Sequence, residues 1–169
     1  FLEIPDINNI IIEKFTDNEK KYLLFHTLYG RRVNDALSRA IGYLVGDFGG
    51  RDIEIGITDN GFYLAGERMM LKKALETLSP DNLEKTLKEA IDKTDVLARR
   101  FRHCATRSLM ILRSYKGRRK TVGKQQMKSH FLLFAVKKIS NEFPILREAR
   151  REIFEDLMDV ESTKQVLKD

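Results

Sequence analysis

The 169 residues contain no tryptophan, three prolines and one cysteine. The lone Cys104 excludes an internal disulfide and a cysteine-rich zinc site. A reducing, cytoplasmic location is the simplest reading of that usage. No stretch approaches the ~20 apolar residues of a membrane span, so no membrane partner is expected. The opening Phe1-Leu2-Glu3-Ile4-Pro5 has no initiator Met and lacks the basic-then-apolar layout of a signal peptide; it reads as a cut inside a longer protein. Catalytic signatures are missing too. Gly30-Arg31-Arg32 sits between a strand and a helix, where backbone N–H groups can hold an anion. It nevertheless lacks the Gly-x-x-x-x-Gly-Lys-Ser/Thr spacing of a P-loop. His26, His103 and His130 show no metal-ligand spacing. Glu155, Asp156 and Asp159 are a candidate Mg²⁺ group, but a solvated helix face is the favoured reading. Cys104 has no acid–base partner near it in sequence, so a buried thiol is expected rather than a nucleophile. No enzyme active site, metal or cofactor is therefore expected within the chain.

What is present suggests an α+β fold. Residues 9–15 are β-branched, residues 16–19 supply a turn, and residues 22–26 form a second apolar run. Val33, Ala36, Leu37, Ala40, Ile41, Leu44 and Val45 then fall on one helical face, ended by Gly46, Gly49 and Gly50. Ile53, Ile55 and Ile57 alternate with polar or small residues, and Asp59-Asn60-Gly61 signals a hairpin back through 62–65. The expectation is a β-β-α-β-β module over 1–67, a small mixed sheet with the 32–45 helix on one face.

An all-helical module is expected over 68–169. Residues 69–78 form a short helix. Ser79-Pro80 caps and opens the next, with Leu83, Leu87 and Ile91 as its stripe. A long helix runs from Asp95 to about residue 115 and a basic loop covers 116–120. The helix over 124–140 is apolar almost all round and should be central. Pro144 opens a helix that turns Leu146, Ala149, Ile153 and Leu157 inward, and a short helix ends the chain.

Charge of one sign is the most informative absence. Net charge is only +6, yet no acidic residue lies between Asp95 and Glu142. A polyanion would relieve the repulsion within that segment and release counterions. At 100° per residue, Leu97, Phe101, Cys104, Ser108 and Ile111 share one face, while Arg99, Arg102, Thr106 and Arg113 lie opposite; Arg100, His103 and Arg107 flank them. The planar guanidinium fork suits phosphate oxygens. The expected nucleic-acid contacts are Arg99, Arg102, Arg107, Arg113, Lys116, Arg118, Arg119, Lys120 and Lys124, with Gly30, Arg31 and Arg32 as a possible anion site. The blander reading is internal pairing of these cations with the acids of 148–161.

Several long strings resemble one family. They are His26-Thr27-Leu28-Tyr29-Gly30-Arg31-Arg32-Val33-Asn34-Asp35-Ala36-Leu37-Ser38-Arg39-Ala40, then Asp59-Asn60-Gly61-Phe62, and Phe101-Arg102-His103-Cys104-Ala105-Thr106-Arg107-Ser108-Leu109-Met110-Ile111-Leu112-Arg113. Gly123-Lys124-Gln125-Gln126 and Phe143-Pro144-Ile145-Leu146-Arg147-Glu148 complete them. Together they resemble the archaeal branch of the Lhr (large helicase-related) family of superfamily 2 helicases, over nearly the whole chain. That resemblance implies a parent with two RecA-like domains, a winged helix and a family-specific domain, and it places this chain in the last. It also implies that ATP and Mg²⁺ are bound by the parent's core, outside this chain. Movement 3′-to-5′ on single-stranded DNA, unwinding of DNA or RNA–DNA hybrids and a link to DNA repair are implied as well. The extra domain is expected to close over the tracking strand. A family member can stack a Trp on that strand, and here only Tyr or Phe is available.

Two readings compete. In the first the chain is a strand-binding accessory domain of an ATP-dependent helicase. In the second it braces the RecA-like and winged-helix domains, or docks another protein, without touching nucleic acid. A standalone enzyme ranks third.

Overall fold

The computed structural model describes residues 4–18 and 20–168. Phe1, Leu2, Glu3, Glu19 and Asp169 lie outside it, and with them the reading of the chain's opening and the last residue of the 16–19 turn. Two compact units emerge, one of Phe1–Ala90 with Leu157–Asp169 and one of Ile91–Asp156.

Alternating apolar residues build four strands in the first unit: β1 (Ile11–Asp17), β2 (Lys20–His26), β3 (Glu54–Thr58) and β4 (Gly61–Gly66). Thr16 and Asp17 belong to β1, so the turn begins only at Asn18, whose φ is 45°. The strand order is β1-β2-β4-β3 and every pairing is antiparallel. This corrects the expected mixed sheet. Strands β2 and β3 do run parallel, as a helical crossover requires, but β4 folds back between them.

The crossover is α1 (Arg31–Gly49), and its whole predicted stripe is buried. The helix passes Gly46 and ends at Gly50, which takes the left-handed cap conformation, so it is longer than its glycines suggest. Leu23, Phe25, Phe62, Leu64 and Ala65 are buried in the sheet, with the Phe25 and Phe62 rings stacked at 4.3 Å. Helices α2 (Leu71–Thr77) and α7 (Val160–Val166) also pack on α1. Helix α3 (Leu83–Asp92) starts three residues after Pro80, not at it. Asn82 accepts the Ser79 N–H at 2.9 Å and donates to the Thr77 carbonyl at 2.7 Å. Those bonds close a turn over 79–82 before the first helical residue.

One buried polar cluster ties this unit together. Thr27 and Asn34 are both fully buried. The Thr27 hydroxyl donates to Asn34 Oδ1 at 2.6 Å, and Asn34 Nδ2 donates to the carbonyls of Thr58 at 3.2 Å and Asp59 at 3.1 Å. The Thr27 N–H donates to the Asn60 carbonyl at 3.2 Å. The end of β2, the first turn of α1 and the β3–β4 turn therefore share one set of bonds. An apolar side chain at position 34 would leave the buried Thr27 hydroxyl without its acceptor.

The second unit holds α4 (Asp95–Arg107), β5 (Ser114–Tyr115), β6 (Arg118–Arg119), α5 (Val122–Ile139) and α6 (Pro144–Glu152). The β5–β6 hairpin corrects the all-helical expectation for this part of the chain. Helix α4 stops eight residues early because Leu109 turns left-handed, with φ 61°, and Ile111 donates back to the Ala105 carbonyl at 3.0 Å. The return also buries Ile111. The expected basic loop is the hairpin turn itself: Lys116 and Gly117 have φ of 49° and 74°. Two successive positive φ angles make a type I′ turn, whose twist matches antiparallel strands.

Helix α5 is not central. Only Ser129, Leu133 and Val136 are buried on it. Phe131 and Phe134 remain 70% and 60% exposed. Its apolar composition thus overstates its burial in this unit. Leu157 is also exposed, whereas Leu146, Ala149 and Ile153 point inward as expected and Met158 is fully buried. A π-helical turn over Ile153–Leu157 advances the inward position by one residue.

Replacing Asn34 with Ala should lower unfolding free energy by about 2 kcal/mol or more, since at least one buried polar group loses its partner. A urea melt checks this; a change below about 0.5 kcal/mol would show that the cluster does not hold the unit.

Candidate nucleic-acid interface

The acid-free segment folds into α4, the hairpin and α5, and its cations divide into two groups. One group turns inward. Glu152, 3% exposed, takes Arg100 Nη1 at 3.1 Å and also pairs with Arg107. Burial raises the Glu152 pKa, but the hydrogen bonds from Arg107 and Arg100 outweigh it and hold the carboxyl below its usual range. Arg107 Nη2 also lies 3.3 Å from the Cys104 sulfur. Cys104 is buried as expected, and burial pushes its thiol pKa up. Arg150 pairs with Asp92 at 2.9 Å and donates to the Asn141 carbonyl at 2.8 Å, and Lys137 approaches Asp92 at 3.7 Å.

The other group faces outward. Arg99 is exposed and Arg102 half-buried on α4, and neither has an acidic partner among the described residues. Arg113 does not continue their row, because the helix has ended; it lies exposed at the foot of the hairpin, its carbonyl accepting the Lys120 N–H at 2.9 Å. Lys116 occupies the hairpin turn, and Arg118 and Arg119 form β6. Successive strand residues point to opposite faces, so Arg118 and Arg119 present their charges on different sides. Lys120 is half-buried after β6, and Lys124 is exposed in the first turn of α5. The candidate interface is thus a short helix face plus a hairpin, rather than one long stripe.

His103 senses this field. Burial lowers its pKa first, and Arg102, Arg100, Arg113 and Arg107 lower it further. Burial and the charge of Lys128 likewise lower the pKa of Lys120. Cations distant in sequence, such as Arg102 and Arg113, therefore both reach His103 in space.

The possible anion site lies in the other unit. Gly30 precedes α1 with φ 81°, a conformation glycine adopts without steric cost. No side chain caps α1 and its first turn holds no acid. Arg31 reaches the Ile57 carbonyl at 3.4 Å and Asp59 at 3.9 Å, while Arg32 donates to the Met158 carbonyl at 3.2 Å. Of the candidate Mg²⁺ residues, Glu155 pairs with Arg151 and Asp159 caps α7.

Charge counting could not reveal the groove beside Arg99 and Arg102. It lies between α4 and α5, has a volume of about 770 Å³, and carries Ala98, Arg99 and Arg102 on one wall and His130, Phe131 and Phe134 on the other. The available signal was the i, i+4, i+7 spacing of Met127, Phe131 and Phe134, which reads equally well as core.

Followed by NMR, the His103 titration should sit below its ordinary range and move up when Arg102 is replaced with Ala. Added salt should move it the same way by screening. An unmoved midpoint in both cases would mean that the cations do not converge on this face.

The DEAD/H associated family matches residues 4–169. The ATP-dependent helicase Lhr-Core of Methanothermobacter thermautotrophicus is 49% identical over 166 residues, which cover 97% of this chain and 19% of that protein. Its namesake from Saccharolobus solfataricus is 43% identical over 172 residues, covering 98% and 20%. The structure of Mycobacterium smegmatis helicase Lhr bound to ssDNA and AMP-PNP superposes with a TM-score of 0.83 at 26% identity, over 98% of this chain and 21% of that one. This chain spans about a fifth of the length of each. It belongs to the DEAD/H associated family and corresponds to that region of the Lhr helicases it resembles.

Proposed function

We propose that this chain is the non-catalytic accessory domain of a cytoplasmic, ATP-dependent 3′-to-5′ helicase acting on DNA or RNA–DNA hybrids. Its role is to hold the single strand through phosphate contacts while RecA-like domains elsewhere in the same protein bind ATP and Mg²⁺. The observation that carries this reading is the outward group of cations. Arg99, Arg102, Arg113, Arg118 and Arg119 have no acidic partner among the described residues. Among them Arg102 and Arg113 contribute, after burial, to the positive field that lowers the His103 pKa. Lys116, Lys120 and Lys124 add to that field. A polyanion relieves such repulsion, and a phosphate backbone supplies one in a regular row. Arg107 is the weakest of the proposed contacts, since Glu152 already claims it. Gly30, Arg31 and Arg32 form a second, smaller anion site on the other unit. That turn does not fit a nucleotide triphosphate, because it lacks the Lys-Ser/Thr pair that would hold the phosphates and Mg²⁺.

The bracing reading keeps one specific support. Arg100 and Arg107 are consumed by an internal carboxylate, which shows that arginines of this segment can serve structure alone.

Phosphate contacts carry little base information, so binding should be largely independent of sequence. With roughly four to six phosphates neutralised, log K against log salt should fall with a slope of about −3 to −4 on single strands. Arg99→Ala with Arg102→Ala in the full-length protein should flatten the slope by about 1.4 and weaken unwinding, with normal melting. An unchanged affinity and slope would favour bracing.

A further inference from the structure

The first unit leaves part of its sheet open. Helix α1 packs on β3 and β4, while the β1–β2 side borders a groove of about 670 Å³ beside the start of α2. Lys14 stands opposite Leu23 in the β1–β2 register, and Lys21 lies two residues before Leu23, so all three share one face. Buried Leu23 closes the floor together with Met69, Met70 and Leu71. Lys72 and Lys73 stand on the α2 wall. Glu76 is the one carboxylate against four lysines, and it pairs with Lys72 at 3.9 Å. Lys73 lies over the Phe48 ring at 4.2 Å. Lys14 and Lys21 are exposed and have no acidic partner among the described residues.

We propose that this groove docks an acidic peptide segment of a partner protein, with an apolar side chain of the peptide seated on Leu23 and Met70 and its carboxylates held by Lys14 and Lys21. The inference stands apart from the strand-binding reading, which concerns the other unit. An apolar floor inside a rim of like charge suits a ligand that carries apolar bulk and negative charge within a few residues. The flexible thioether of methionine moulds to side chains of differing shape, which is why it recurs at peptide-binding surfaces. A bare phosphate chain would satisfy the lysines but leave the floor in water. No arginine and no aromatic ring is among the described residues that line the groove. It therefore lacks both the planar fork that matches phosphate oxygens and a flat face for a base. A neutral apolar segment would cover the floor at the cost of the lysines' hydration. Carboxylates flanking an apolar side chain answer both demands.

The test uses the full-length protein and a fluorescein-labelled peptide, Glu-Asp-Leu-Glu-Asp-Phe-Glu-Asp, followed by anisotropy at one salt concentration. One control peptide carries Ser in place of Leu and Phe; the other carries Gln and Asn in place of the acids. The parent peptide should bind, and each control should bind about 10-fold more weakly. Lys14→Glu with Lys21→Glu should weaken the parent peptide by about 10-fold or more, and Met70→Gln by about 5-fold, both with normal melting. Neither change should alter single-stranded DNA affinity or its salt slope. Arg99→Ala with Arg102→Ala should leave the peptide affinity as it was. Binding no tighter than about 1 mM overturns the proposal. So does a Ser control that binds as well as the parent, since charge alone would then explain the contact. Loss of DNA affinity on reversing Lys14 and Lys21 would mean that the groove takes a strand. Loss of the peptide on removing Arg99 and Arg102 would put the peptide on the other unit. Either result sinks the proposal, as does self-association that disappears when Lys14 and Lys21 are reversed, which makes a second copy the occupant. If the double charge reversal melts early, Met70→Gln decides: an unchanged peptide affinity there overturns the proposal.

Discussion

The second unit depends on where the Glu152 carboxylate sits. It grips Arg100 and Arg107, seven residues apart and therefore on one side of α4. With the Leu97, Phe101 and Cys104 face packed inward and that flank held by a buried acid, the rotation of α4 is fixed. Arg99 and Arg102 then have nowhere to point except outward. The pair also eases the folding of such a cationic segment. Two of its cations share one buried carboxylate, and losing that acid would cost about 3–5 kcal/mol for a fully buried pair and less here because Arg107 is largely exposed.

Division of labour among like residues is the electrostatic theme. Lys137 and Arg150 serve Asp92, Arg100 and Arg107 serve Glu152, and Arg102 and Arg113 stand close enough to His103 to repel its proton. The lowered pKa values of His103 and Lys120 record that repulsion together with partial burial.

Periodicity made the first unit legible. Seven apolar positions of α1 and the alternation of Ile53, Ile55 and Ile57 state their burial directly, and the Asp59-Asn60-Gly61 turn names its own geometry. Three features left no such trace. The end of α4 depends on Leu109 adopting a left-handed conformation that sequence usually assigns to Gly or Asn, and its apolar spacing runs on through Ile111 as if the helix continued. The π turn that exchanges Leu157 for Met158 changes the period itself. Composition tells that α5 has apolar surface to cover, but not what covers it. The same limits apply to the interface. The acid-free segment was readable as charge, whereas the groove required knowing that Phe131 and Phe134 are left in the open.

The Asn34 cluster has a temporal consequence. Its bonds join β2, α1 and the β3–β4 turn, segments up to 32 residues apart between Thr27 and Asp59. All three must be in place before the last bond can close, so the cluster belongs to the late stages of assembly. Interactions absent from the folding transition state act on the rate of escape from the native state and leave the rate of arrival nearly untouched. One asparagine amide is thus a latch on the lifetime of the unit.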